Sequence, residues 1–441
     1  TERSSIDILI TQTSINANVS GTTEIGGFIG NAEHLSNLQI SNSTMAGTVI
    51  GTSNKVGGFV GLMDEGTITL SGIMNESAVT GIDRTGGIIG DNQPDNLFIT
   101  NSSNYGLISG EDRTGGIFGR IGKANMVLIN VENHGDVIAD ISEDKEINVG
   151  GIIGYQSYYS GFDYIFHLDQ VINRGSVHAK SEGDIRVGGL IGRTGNDDYA
   201  ITNSSNHGEV TGTAIGSGSS AVAGGFIGKN IGSLTISNGA VTGTISGVDG
   251  VGGLIGEIDF RSINIVITQS SINADVSGTS KIGGFIGNAS NLSDLKIFNS
   301  TMSGTVVGSS DGIGGLMGEA NVGTITLSGI ANNSDVNGNY RVGGVIGFNH
   351  SNLLSIANSL NSGDVLGGDE VGGFIGLSES PTKIQNTTNT GLTMGVDEVA
   401  GFLGDNNDEI SMIDVINEGT IIGSSEIGGL IGDSFTATIT G

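Results

Sequence analysis

The sequence predicts an all-β chain, wound as a parallel β-solenoid (β-helix) of about fourteen coils with three short strands per coil. Three observations carry this prediction. A six-residue phrase recurs fourteen times, thirteen of them built on a glycine pair, as in "IGGFIG" from Ile25, "TGGIIG" from Thr85 and "VGGFIG" from Val371, and one reading "VAGFLG" from Val399. Its copies are mostly 28 to 31 residues apart, a period that marks solenoids and other repeat arrays. The composition leaves little for helices: 79 of 441 residues are Gly, with 2 Pro and no Cys or Trp, and Gly is poor in a helix interior.

Within a unit the elements follow in order. In "NLFITNSSNYGLISGEDRTGGIFG" (residues 96–119) the first segment alternates apolar and polar residues, the second does so as "GLISG", and the third is the phrase itself. Alternation with period two is the mark of a half-buried strand, and three such segments with their turns fill one circuit. Blades of a propeller need four strands and about 40 residues, so the solenoid is preferred. The phrase has apolar residues on both strand faces, and two accounts of it are open. Either the glycines bend the strand so that all its apolar residues turn inward, or Phe28, Phe59, Phe226, Phe285 and Phe374 with their equivalents form an outward ladder that needs a covering partner.

A longer period lies above the first. Residues 5–119 align without a gap to residues 262–376. The chain therefore reads as one continuous solenoid over 1–441, with a first super-repeat of eight coils at 5–256 and a second, incomplete one at 262–441. Between Gly115 and Gly224 the intervals lengthen, which places extra residues in loops. One of these, a Tyr-rich insertion over 155–186, gathers Tyr155, Tyr158, Tyr159, Phe162, Tyr164 and Phe166 as a candidate contact loop for a glycan or another protein.

The formal net charge of −29 argues against nucleic acid and anionic membrane as partners. No apolar run reaches the roughly 20 residues that cross a bilayer, so membrane insertion is not expected. No signal peptide is visible and the chain opens on Thr1 rather than Met, which reads as a processed product. Without Cys there is no disulfide framework and no thiolate metal site. The six His show no metal spacing, acidic pairs such as Asp197 and Asp198 read as solvated turns, and no carboxylate cluster repeats. No enzyme activity, cofactor or metal is expected.

"GGLIG" and "GGFIG" at about thirty-residue spacing resemble the GLUG repeat of large secreted and surface-attached proteins, over nearly the whole chain. The resemblance implies an extracellular or cell-surface β-solenoid stalk or adhesive segment, without catalytic residues in the repeats. Sequons at Asn18, Asn42, Asn75, Asn101, Asn203, Asn288, Asn291, Asn299, Asn332 and Asn386 are candidate glycosylation sites. Equally, Asn suits solenoid corners for its turn geometry. The first and last residues fall partway through a coil, which suggests a segment of a longer tandem array or stacking on copies of itself, end to end or laterally. The expected function is a structural, rigid extracellular rod in a fibre, stalk or surface appendage. The alternative is an adhesin or glycan-binding module acting through the Tyr-rich insertion.

Overall fold

The computed structural model describes residues 7–157, 164–258, 264–290, 292–321 and 323–441. Those residues form an all-β chain, a parallel β-solenoid of about fourteen coils, and none of them is helical. The chain divides into two compact units: Thr1–Ala221 with Phe226–Gly232, and Val222–Gly225 with Ser233–Gly441.

In the first unit one circuit runs through Thr67–Ser71, Met74–Asn75, Ala78–Thr80, Asp83–Gly86 and Ile89–Gln93. The next begins at Asn96, paired in parallel with Thr67. The three expected segments are present, and corners split two of them. Alternation does what the pattern predicts: Ile68 and Leu70 are buried while Thr67 and Thr69 face outward and are half-buried.

The glycine phrase is a corner between two strands. Asp112–Gly115 ends at the first glycine, Phe118–Ile121 begins after a bend at Gly116 and Ile117, and Thr114, Ile117 and Phe118 are all fully buried. The inward account therefore holds and the outward ladder is corrected: Phe59, Phe226, Phe285 and Phe374 are fully buried, and Phe28 is half-buried with its ring stacked 4.6 Å from that of Phe59. Steric contact explains the glycines. A Cβ on Gly115 would stand 2.0 Å from the Phe118 carbonyl oxygen, and one on Gly116 would stand 2.1 Å from the Gly151 carbonyl oxygen. Successive phrases stack in register, Gly57 on Gly86, Gly86 on Gly115, Gly115 on Gly150 and Gly150 on Gly188.

Long intervals leave this register untouched. Asn133 still pairs with Asn173 and Asp140 with Lys180, so the extra residues lie at 141–146, 215–220 and between Gln156 and Ile165. Within 155–186, Ile165–Asn173 and Val177–Ser181 are ordinary paired strands, which narrows the insertion to its first part.

The second unit repeats the plan: Asn264–Thr268, Ser271–Asn273, Val276–Gly278, Ser280–Gly283 and Ile286–Ser290 make one circuit. Glycines pair again from Gly252 through Gly283, Gly314, Gly343 and Gly372 to Ala400. Leu234–Ser237 pairs with Asn264–Thr268, so the seam of the sequence duplication lies inside this unit. The Phe374 and Phe402 rings stack at 4.9 Å.

A second interior row is polar. Asn75, Asn104, Asn133, Asn173 and Asn206 are fully buried and stacked, and each Nδ2 donates to the Oδ1 of the next at 2.7 to 2.8 Å. The other Nδ2 proton goes to the main-chain carbonyl two residues on, as from Asn104 to Gly106 at 3.0 Å. Asn332, Asn361, Asn389 and Asn417 repeat this in the second unit at 2.7 to 3.0 Å. Buried carboxamides cost free energy unless paired, and in a ladder each one completes its neighbour. Where the row is not Asn it is apolar in a block: Val241, Ile272 and Met302 stack in register ahead of Asn332.

Candidate functional site

Two outer corner rows hold residues in the left-handed region, which disfavours side chains other than Gly, Asn and Asp. In the first row Asn42, Asn101 and Asn130 have φ of 47, 51 and 54°, and Asn299, Asn358 and Asn386 have 49, 51 and 49°. The residue after them turns inward, and where it is Ser its hydroxyl receives the main-chain N–H of the previous coil, as Ser102 from Ile73 at 3.3 Å and Ser300 from Ser270 at 3.2 Å; after Asn130 it is the buried Val131. "Asn-Ser" at this place is therefore a corner device, which accounts for the recurring Asn without reference to glycans. Asn18, Asn42, Asn101, Asn203, Asn299 and Asn386 are exposed, and Asn288 is half-buried. Asn75 and Asn332 belong to the buried ladders, so these two sequons are corrected: a glycan has no room there. Asn291 lies outside the described residues.

The second row stands two residues before the first glycine of each phrase, and it is charged. Glu24, Lys55, Arg84 and Arg113 have φ between 48 and 62° in the first unit; Lys281, Arg341, Glu370, Glu398 and Glu426 have 51 to 57° in the second. Gly250 and Gly312 occupy the same place, so glycine suffices for the turn and the charges are there for another reason. Beside it runs a row five residues after that glycine, with Asp91, Arg120, Tyr155 and Arg193 in successive register.

In the first unit these rows interlock. Lys55 Nζ lies 2.9 Å from Glu24, whose carboxyl is held below its ordinary value by that hydrogen bond. The fully buried Asp91 takes Arg84 at 2.9 Å on one oxygen and Arg120 at 2.9 Å on the other. Arg113 lies 2.7 Å from Asp83 and 3.0 Å from Asp112. Tyr155, a predicted contact residue, is half-buried, with the Arg113 and Arg193 guanidinium carbons 6.0 and 5.5 Å from its ring centre.

In the second unit the balance shifts. Arg341 lies 3.1 Å from Glu370 and 4.4 Å from the Phe348 ring centre. Beyond it Glu370, Glu398 and Glu426 face Asp405 and Asp433, and the carboxylate oxygens of Glu370, Glu398 and Asp405, and of Glu398, Glu426 and Asp433, lie within 4.8 Å of one another. Burial, then repulsion from Asp405, Glu370 and Glu426, pushes the Glu398 carboxyl up to about 7. Glu370 is raised chiefly by burial, and Asp405 by burial and by Asp433.

The remaining predicted contact residues separate. Phe166 is fully buried, its ring stacked 4.8 Å from that of Tyr199, so it is core and that assignment is corrected. Alternation explains this, since Phe166 and Leu168 point inward on one strand. Tyr164 is half-buried and its N–H donates to Asp197 at 3.1 Å. Asp197 is itself buried and also accepts from the Gln156 carboxamide, so it is not a solvated turn. Tyr158, Tyr159 and Phe162 lie outside the described residues. Sequence reasoning missed the charged row, although its signal, an acidic or basic residue two places before "GG", is present in eight of the nine repeats just named, the ninth, after Glu398, reading Ala400-Gly401.

Against known proteins, no family model, no curated protein and no solved structure matches the chain.

Proposed function

We propose that this chain is a structural repeat protein akin to the GLUG-motif proteins, a stiff spacer acting outside the cell within a fibre, stalk or surface appendage. The observation that carries this reading is the interior. Each unit is filled coil upon coil by stacked apolar side chains and by Asn ladders that tie successive coils together, an interior suited to stiffness along the stack. Charge pairs laterally between coils, and the second unit keeps an acidic run that repels polyanions at neutral pH. The chain is not read as an enzyme, and its partners are further copies or an adjoining surface protein. Electron microscopy of the purified protein tests this: straight particles of constant width support it, and flexible or collapsed particles would end it.

A further inference from the structure

We propose that a crevice on the first unit, lined by Asp112, Arg113, Glu146, Asn148, Tyr155 and Arg193, binds a single neutral sugar residue. The crevice measures about 240 Å³, below the roughly 300 Å³ at which pockets for larger ligands begin. It occurs where the rhythm breaks. The extra residues at 141–146 deliver Glu146, and Asn148 stands where the neighbouring coils place Arg84 and Arg113.

The chemistry of the lining selects the ligand. Two carboxylates face two guanidinium groups, so an anion or a cation would leave one pair unmatched. Glu146 is paired with Arg186 and lies 3.3 Å from Arg193. Burial acts to raise its carboxyl, but the bonds from Arg186 and Asn148 and the charge of Arg193 outweigh burial and keep it ionised, an acceptor only. Asn148 is 3 % exposed, and its main-chain N–H and Nδ2 reach Asp112 Oδ1 at 3.1 and 3.4 Å. Its Oδ1 has no hydrogen-bond partner among the described residues, and neither has Arg193 Nε. Buried polar atoms are normally paired. The lining thus lacks one donor, at Asn148 Oδ1, and one acceptor, at Arg193 Nε, and sugar hydroxyls supply both kinds of group. Tyr155, packed against both guanidinium groups, fixes their planes. This site shares only Tyr155 with the Tyr-rich insertion, and it does not rest on the structural role, because none of its residues belongs to the Asn ladders.

The test is titration of the full chain with the methyl glycosides of glucose, galactose, mannose and N-acetylglucosamine, read by saturation-transfer NMR, with sodium sulfate and calcium chloride as separate arms. One glycoside should bind saturably with a Kd of about 1 mM. Asn148→Ala and Glu146→Gln should each weaken it roughly tenfold, about 1.4 kcal/mol, measured below the melting transition of each variant. No saturable glycoside binding by the unaltered chain up to about 10 mM overturns the proposal, as does sulfate or calcium binding there in its place. If a variant fails to fold, the titration of the unaltered chain still decides.

Discussion

Asn133 accepts from Asn104 and donates to Asn173, both at 2.8 Å. Replacing it by Ala strands one donor, Asn104 Nδ2, and two acceptors, Asn173 Oδ1 and the Gly135 carbonyl, in the core, about 1–3 kcal/mol for each group. Asn133→Ala should therefore destabilise the first unit by roughly 3 kcal/mol in denaturant melts; a change under about 1 kcal/mol would mean that the ladder is not closed. The converse, Ile272→Asn, places a lone carboxamide between Val241 and Met302 and should cost as much. Gly116→Ala forces a Cβ to 2.1 Å from a carbonyl oxygen and should cost about 3 kcal/mol or more, whereas Gly429→Ala meets nothing within 4 Å and should be silent. Equal effects would refute the corner geometry. In a glycosylating host, intact mass and peptide mapping should find glycans, if any, only on exposed sequons such as Asn42, Asn101 and Asn203; one on Asn75 or Asn332 would contradict the buried ladders. At this scale the sequence was partly readable. Alternation marked Ile68 and Leu70 as inward. Periodicity assigns a residue to a face, but it does not say where a strand ends. The glycine bend was thus one of two accounts the sequence left open, and the corner at Gly116 decides it by turning both Ile117 and Phe118 inward.

The charged row belongs to the level of the element, because each of its residues is set by the coil above and below. Glu398 titrates near 7 in the folded chain against an ordinary value of 4.5, so the folded state holds a proton that the unfolded state has lost. Its contribution to stability is fully present below about pH 4.5 and disappears as the pH rises through 7. Thermal melts of the second unit should therefore weaken between pH 5 and pH 8 beyond the trend of the rest, and Glu398→Gln should remove most of that difference. Equal pH dependence in variant and parent would show that the carboxylates do not repel as placed. Paired elements were legible from spacing alone, since a 29-residue interval repeated with Gly in register admits few other windings. The lateral ion pairs were not: Arg84 with Asp91 joins two different rows of one coil, which only the closed corner brings together, and Arg120 then reaches the same Asp91 from the next coil of its row.

For the whole molecule, the duplication of residues 5–119 as 262–376 preserves the apolar core rows and changes the corner rows: Arg113 is matched by Glu370, and the buried Asp91 by the half-buried Phe348. Packing restrains the interior, where every volume change is felt by the coils on either side, and leaves the corners free to carry new charge. The crevice at Asn148 has no counterpart in that alignment, since it depends on an insertion. The account as a whole rests on equivalent residues of successive coils being stacked. The chain has no cysteine, so spin labels can be placed at will. Asn42 and Asn203 lie on one corner row of the first unit, five coil steps apart through the pairings of Ser41, Ser71, Thr100, Ile129, Asp169 and Thr202. Labels at these two positions should give a narrow distance distribution near 24 Å, at about 4.8 Å per step. A broad distribution, or a distance above roughly 40 Å, would contradict the winding.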